Sequence, residues 1–319
     1  MFWQNLESDE KCSSLLSHFD MNRHTPVLVT EVLEYLSCGP GKSFFDLTAG
    51  GGGHGDAILR ATAPDGIWFG TDRDPFAVRM AGECLAPLGD RVRLEQATFS
   101  EALERIVPPV ARGLSGALID CGLSSNQLED AARGFSFAQE GPLDMRMDPT
   151  SGTTAREWLL RTSEREIADA IFKYSEERFS RRIARRIVEF RREGKMNTTA
   201  DLARAALSAL PPRERYSKIH PATKTFQAVR IVVNDELAQL EHALVRLIAL
   251  LPAGARVVTI SFHSLEDRIV KVLFQQAERG GTGRILTRKP VEASVEEIQR
   301  NPRARSAKLR ALEILGGRA

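Results

Sequence analysis

Short apolar runs recur along the first part of the chain, each closing on a polar or aromatic residue and giving way to helical spacing. "KSFFDL" carries Asp46, "GIWFGTD" ends at Asp72, "VRLEQATF" ends at Phe99, and "GALIDCG" carries Asp120. Segments such as "PFAVRMAGECLAPL" between them place apolar residues at helical intervals. Alternation of this kind predicts a parallel α/β sheet. A fifth run, "ARVVTISF" (Ala255 to Phe262), comes much later, after a long helical stretch, "TFQAVRIVVNDELAQLEHALVRLIALL". "RILTRKPV" and "SAKLRALEIL" predict two late strands forming an edge hairpin.

The interval between the fourth and fifth strands is too long for one crossover. Residues from about Leu128 to Tyr216 are charged and helical in pattern. The expected organisation is therefore an α/β domain over 24–127 and 217–319, with a helical domain inserted at 128–216.

The first strand runs straight into glycine: "FFDLTAGGGGHGDAIL" spans Phe44 to Leu59. A glycine-rich turn between strand and helix lets the backbone approach a ligand and exposes helix N-terminal N–H groups. An acid about 20 residues on, at the end of the next strand, is placed to take ribose hydroxyls; Gly53 to Asp72 fits. The same residues also suit a flexible turn followed by a surface acid. As a ligand site, the pattern admits NAD or S-adenosylmethionine. Asp46 at the end of the first strand suits a cofactor bearing an amino group and a sulfonium better than one bearing pyrophosphate.

Composition narrows the class. The chain has 319 residues, 42% hydrophobic and 27% charged, with a net charge of only +2. No apolar run approaches the ~20 residues of a membrane span, and the N-terminus has no secretory pattern. Cys12, Cys38, Cys84 and Cys121 form no CxxC pair. Their spacing argues against a zinc site or a disulfide framework and fits a reducing cytoplasm, with no catalytic metal expected.

Longer stretches carry a resemblance. "HTPVL" (His24 to Leu28), "GGGGHG", "DRDPFAV", "GLSSNQLEDAARGFSFAQEGPLDMRMD", "EERFSRRIARRIVE", "HPATKTFQAVRIVVNDEL", "ISFHSLEDRIVK" and "NPRARSAKLR" closely resemble the bacterial 16S ribosomal RNA cytosine-N4 methyltransferase family. The resemblance runs from about His24 to Arg310. It implies a class I methyltransferase fold with a helical insertion. The implied reaction is methyl transfer from S-adenosylmethionine to N4 of a cytidine in the ribosomal decoding centre. Carried over, it places Gly52, Gly53 and His54 in the cofactor loop, Asp72 at the ribose, Phe99 beside the adenine, and Asp120 and Gln127 closing the site. Phe99 is equally an ordinary core aromatic, and Gln127 an ordinary solvated loop residue. The chain departs from the family pattern at Cys121 (usually Leu), Asn126 (Pro), Ser175 (Gly) and Lys224 (Arg). Residues 1–23 are set apart as an N-terminal extension; the first twenty have no counterpart in the family pattern, and the native start is expected at Met21.

The exocyclic amine of cytosine is a weak nucleophile, and positioning beside a proton acceptor is the expected remedy. Asp120, Asp144 and His263 are the candidates. "DCGL" stands where many amino methyltransferases carry "DPPY" or "NPPY". His263 also reads as part of a helix start with Ser264 as N-cap and Asp267 three residues on, and Asp144 as a partner for Arg146 or Arg133. For RNA, "RFSRRIARRIVEFRREGK" (Arg178 to Lys195) sets seven Arg and one Lys against Glu189 and Glu193, a local charge of +6. Phe179, Ile183, Ile187 and Phe190 form its apolar stripe, leaving Arg181, Arg182, Arg185 and Arg186 for phosphate. Arg303 and Arg305 add a second basic cluster. The expected partner is 16S ribosomal RNA or the assembled small subunit, with no membrane or DNA. An NAD-dependent oxidoreductase and a non-catalytic RNA-binding assembly factor are the alternatives.

Overall fold

The computed structural model describes residues 26–215 and 220–316. The expectation of a start at Met21, and the family resemblance at His24, lie outside them.

Most of the apolar runs form strands because both their faces are buried; Val92–Gln96, at the sheet edge, has no fully buried residue. After helix α1 (Val29–Leu36), β1 (Ser43–Asp46) turns Phe44 and Phe45 to opposite sides of the sheet. Phe44 packs with Leu59, Trp68 and Ala81, and Phe45 with Leu240, Val257 and Phe274. Each ring is fully buried, which stabilises the strand by about 1.5–3 kcal/mol per side chain. Near-continuous apolar runs are what a parallel strand covered on both faces requires.

The chain continues through α2 (Gly53–Ala61), β2 (Trp68–Asp72), α3 (Pro75–Leu85), β3 (Val92–Gln96) and β4 (Leu114–Asp120). Helix α3 starts cleanly because the Asp74 side chain accepts from Phe76 N–H and Pro75 occupies the first turn. Gly70 is fixed by packing, since a Cβ there would run into the Trp68 ring. The third strand stops at Gln96; Phe99 opens a helical segment instead of ending the strand, with Thr98 and Glu101 as its reciprocal caps.

Helices α4 (Ser125–Glu129), α5 (Ala155–Arg161), α6 (Glu164–Ser175), α7 (Ser180–Arg192), α8 (Thr199–Ala209) and α9 (Ala222–Asn234) follow. Helices α5 to α9 share one apolar core that includes Leu159, Ile171, Ile183 and Leu202. That core also takes Ala222, Phe226, Ala228 and Val229 of α9, so a division at residue 216 does not match the packing. The long helical stretch of the sequence is two helices. It breaks at Asp235, whose left-handed φ of 52° ends α9 and starts α10 (Glu236–Leu250). Leu240, Ala243, Leu244 and Leu247 of α10 pack on the sheet instead.

The chain finishes with β5 (Arg256–Ser261), α11 (Ser264–Arg279), β6 (Gly283–Ile285), α12 (Val295–Arg300) and β7 (Lys308–Ile314). The sheet order is β3-β2-β1-β4-β5-β7-β6. β1 to β5 are parallel, and β7 runs antiparallel to both neighbours. The two late strands do pair, but only β6 lies at the edge; β7 is inserted between it and β5.

Candidate functional site

The carboxyl ends of β1, β2, β4 and β5 converge on one cavity of about 530 Å³. Strand order reverses beside β1, between β2 and β4, which is where open α/β sheets hold their ligands.

Gly50 and Gly52 carry φ of 50° and 85°, a region that glycine enters without Cβ cost. Gly50 and Gly51 face the cavity, and a Cβ at Gly51 would meet nothing within 4 Å. The expected Gly52 and Gly53 are not on its wall. A Cβ at Gly52 would lie 3.2 Å from Ala81 Cα, and one at Gly53 2.9 Å from Pro26. Those two glycines serve close packing of the loop, and the preceding pair forms the cavity wall. His54 sits in the first turn of α2, only 6% exposed.

Asp72 ends β2 on the cavity wall, held by two backbone N–H groups. Gly50 N–H donates to Oδ2 and Asp74 N–H to Oδ1, both at 2.9 Å. Burial pushes its carboxyl up to about 6, against the pull of those hydrogen bonds. Phe99 also lines the cavity.

Asp46 is fully buried, and burial pushes it up to about 6 as well. His54 and two hydrogen bonds from Thr48 oppose the shift, and Asp120 adds to it. Thr48 N–H and Oγ1 donate to Asp46 Oδ1 at 2.9 and 3.1 Å, and Thr48 Oγ1 accepts from Asp120 N–H at 2.7 Å. One threonine thus ties the ends of β1 and β4 together. Asp120 lines the cavity, and its Oδ2 lies 3.5 Å from His54 Nε2.

Gln127 lines the cavity with its polar atoms already engaged. Its amide nitrogen donates to Asp74 Oδ2 at 2.8 Å, and its amide oxygen accepts from Ser124 N–H at 3.0 Å. Asp74 also pairs with Arg133 at 2.8 Å, so Gln127 belongs to a clamp that braces the loop after β4. Asp144 is spent in the same loop. It holds Arg146 through two side-chain bonds of 2.8 Å and is not on the cavity wall, which removes it from the candidate proton acceptors.

His263 faces the cavity, and it is the N-cap of α11, one residue earlier than the sequence suggests. Glu266, not Asp267, completes the cap, accepting from Phe262 and His263 N–H. Asp267 pairs instead with Arg310. His263 Nε2 lies 3.0 Å from Glu266 Oε1. Burial alone would raise the Glu266 carboxyl; His263, Arg230 and the Phe262 N–H together hold it below the usual range.

The opposite wall is aromatic. Phe135, Phe137 and Phe226 line it with Met147, and Phe137 meets Phe226 edge-on at 5.0 Å between ring centroids. Arg230 and Glu236 on this side form a two-bond pair at 2.8 Å across the Asp235 break. Sequence reasoning passed over this pair because isolated charges in helical text carry no distinguishing spacing, and it passed over the wall residue Arg73 in the bend after β2.

The basic helix is α7, which packs on α6 and α8 away from the cavity. Arg181, Arg182 and Arg185 are exposed there. Arg186 is half-buried, paired with Glu189 and bonded to Ser208. Arg191 is structural: one guanidinium nitrogen donates to the carbonyls of Leu159, Leu160 and Thr162, capping α5. Arg303 does reach the cavity rim, and Arg305 is exposed on the same turn.

A doubly wound sheet with this order, a glycine loop after β1 and an acid closing β2 on the same cavity define a class I methyltransferase, an enzyme that uses S-adenosylmethionine. The residues present fit that cofactor: the Gly50–Gly51 backbone is open on the cavity, and the carboxylates of Asp72 and Asp120 lie on its wall. The chain belongs to the MraW methylase family, whose model matches residues 21–315. Among curated proteins it is similar to ribosomal RNA small subunit methyltransferase H of Trichlorobacter lovleyi, 46% identical, with 92% of this chain and 98% of that protein covered. The enzymes of the same name from Geobacter sulfurreducens and Methylococcus capsulatus are 47% and 48% identical, covering 92% and 90% of this chain and 99% of each relative. Among solved structures, TrmN from Thermus thermophilus matches with a TM-score of 0.42 and 12% identity, over 90% of this chain and 48% of its own.

Proposed function

We infer that this protein methylates the exocyclic N4 of a cytidine in the decoding centre of 16S ribosomal RNA, acting in the cytoplasm. The observation that carries the reading is the cavity that joins the glycine loop and Asp120 to an aromatic wall from a separate helical core. The relatives named as small-subunit ribosomal RNA methyltransferases support the substrate class. When bound, S-adenosylmethionine supplies an electrophilic methyl group on a sulfonium.

The chain's own residues do the rest. Gly50, Gly51, Asp72 and Phe99 hold the cofactor side. Phe137 and Phe226 offer flat faces to a base taken out of its stack, as chemistry on a base edge requires. Asp120 accepts a hydrogen bond from the amine and holds it in line with the methyl group, and a buffered proton acceptor at that position removes the surplus proton. Arg303 and Arg305, with the exposed arginines of α7, meet phosphate.

The test is methyl transfer from labelled S-adenosylmethionine to naked small-subunit RNA, assembled small subunits and DNA, with the labelled nucleoside identified by mass spectrometry. N4-methylcytidine from RNA or subunits alone is the expected result. Cofactor binding without transfer to any of the three would mean a non-catalytic assembly factor, and failure to bind the cofactor would overturn the reading of the glycine loop.

A further inference from the structure

Three ionisable side chains meet where β1 and β4 end. Asp46 Oδ2, Asp120 Oδ1 and both ring nitrogens of His54 are buried without a hydrogen-bond partner among the described residues. Buried polar atoms are nearly always paired, and a cluster of exceptions calls for a role. His54 lies 3.5 Å from Asp120 of β4 and acts electrostatically on the buried Asp46 of β1. Asp46 in turn raises the ionisation of Asp72 of β2, and no ion pair from α1, α3 or β2 reaches the ring among the described residues. Two neighbouring carboxylates repel unless a proton or a cation lies with them. The imidazole is the group in place to carry that proton. Only Asp120 of the three lines the cavity, so His54 is reached from the cavity through Asp120.

We propose that His54 holds the proton released at the target amine, with Asp120 as the group that first accepts it and Asp46 as the counter-charge beneath. This rests on the methyl-transfer reading above. In the reaction a bond forms between the amine nitrogen and the methyl carbon. The methyl–sulfur bond breaks, and its electron pair stays on sulfur. The sulfonium charge disappears, and the nitrogen carries one surplus proton. That proton passes to Asp120 and then to His54, so a positive charge lost at sulfur reappears as imidazolium between two carboxylates. The charge of the closed site is the same before and after transfer. His54 acts through Asp120 and is a positioning residue in this scheme. The 3.5 Å separation is of the kind that tightens when a site closes on its ligands.

The first measurement needs no RNA. The full chain is titrated calorimetrically with S-adenosylmethionine and with S-adenosylhomocysteine, each in two buffers of different protonation heat, between pH 6 and 9. The neutral thioether is expected to draw more protons into the protein than the sulfonium, by a sizeable fraction of one proton, and His54→Asn is expected to abolish the difference. Equal uptake for both ligands at every pH overturns the proposal, as does a difference that survives in His54→Asn. Single-turnover methylation then separates roles. His54→Asn and His54→Gln should be slower by on the order of 10²-fold at saturating cofactor. Lost cofactor affinity with an unchanged rate would show that the ring only shapes the loop. A wild-type protein that methylates no substrate would sink the methyl-transfer reading, while the proton-uptake result would still judge the cluster.

Discussion

Asp46→Asn separates the electrostatic cost of the site from its packing. The wild-type carboxyl is fully buried, with an ionisation pushed from 3.8 to about 6. At 1.36 kcal/mol per pH unit this is a cost of about 3 kcal/mol once the group is charged. Below about pH 4 the carboxyl is neutral in the folded and unfolded chain alike and costs nothing. Between about pH 4 and 6 the folded chain keeps a proton that the unfolded chain has released, so stability falls as pH rises. Above that window the whole cost is present. Asparagine keeps an oxygen for the two Thr48 hydrogen bonds and never ionises. Any constant penalty from its amide is independent of pH, so the useful quantity is the variant minus wild-type difference across pH. That difference should grow by about 3 kcal/mol between pH 4 and 7, or roughly 5 °C in Tm for a chain of this size. Thermal melts of both proteins without ligand, at half-unit pH steps, measure it. A difference that stays flat, or shrinks with rising pH, would refute the assignment of a destabilising buried carboxylate. The same variant should lose cofactor affinity as it gains stability.

The remaining predictions use other parts of the molecule. Phe137→Ala should cost about 1–3 kcal/mol of base stacking, read as a weakened KM for RNA with cofactor Kd unchanged. Replacing Arg181, Arg182 and Arg185 by Ala should lower the salt slope of RNA binding by about 0.7–0.9 for each phosphate that is no longer neutralised, without changing Tm. Arg191→Ala should do the reverse, losing about 1.5–3 kcal/mol of stability through the uncapped end of α5 while leaving the salt slope intact. Gly70→Ala should destabilise by at least about 1–3 kcal/mol through overpacking against Trp68, measured by urea denaturation.

How far the sequence could be read depends on how local each signal is. β1, β2, β4 and β5 were legible because their apolar runs are short, continuous and closed by turn residues. The glycine loop and Asp72 were legible because a tight turn and a strand-end acid have fixed spacing. The break at Asp235 was not: no glycine or proline marks it, and an aspartate can take the left-handed conformation unaided. The internal place of β7 depends on pairing with β5, a contact between distant segments. The charge of the α7 region was plain, but Arg191 serves three carbonyls of another helix and its neighbours do not. Asp144 and Gln127 carry the right chemistry in the right loop; their partners, Arg146 and Asp74, are what tie up their polar atoms. Which of the four glycines pack closely is likewise set by Pro26 and Ala81, residues far from the loop in the chain.

The change of direction at Asp235 divides ownership of the cavity. The wall residues of α9, from Thr223 to Arg230, hang on the helical core, and those from Glu236 onward hang on the sheet with the strand ends. On the proposed function, the donor half and the target half are therefore modules of unequal freedom. Substitutions buried among the helices can redraw the surface offered to an RNA while the strand ends and their carboxylates stay in register. The Arg230–Glu236 bond spans the seam between them, and a chain that changed its target without changing its chemistry would begin there.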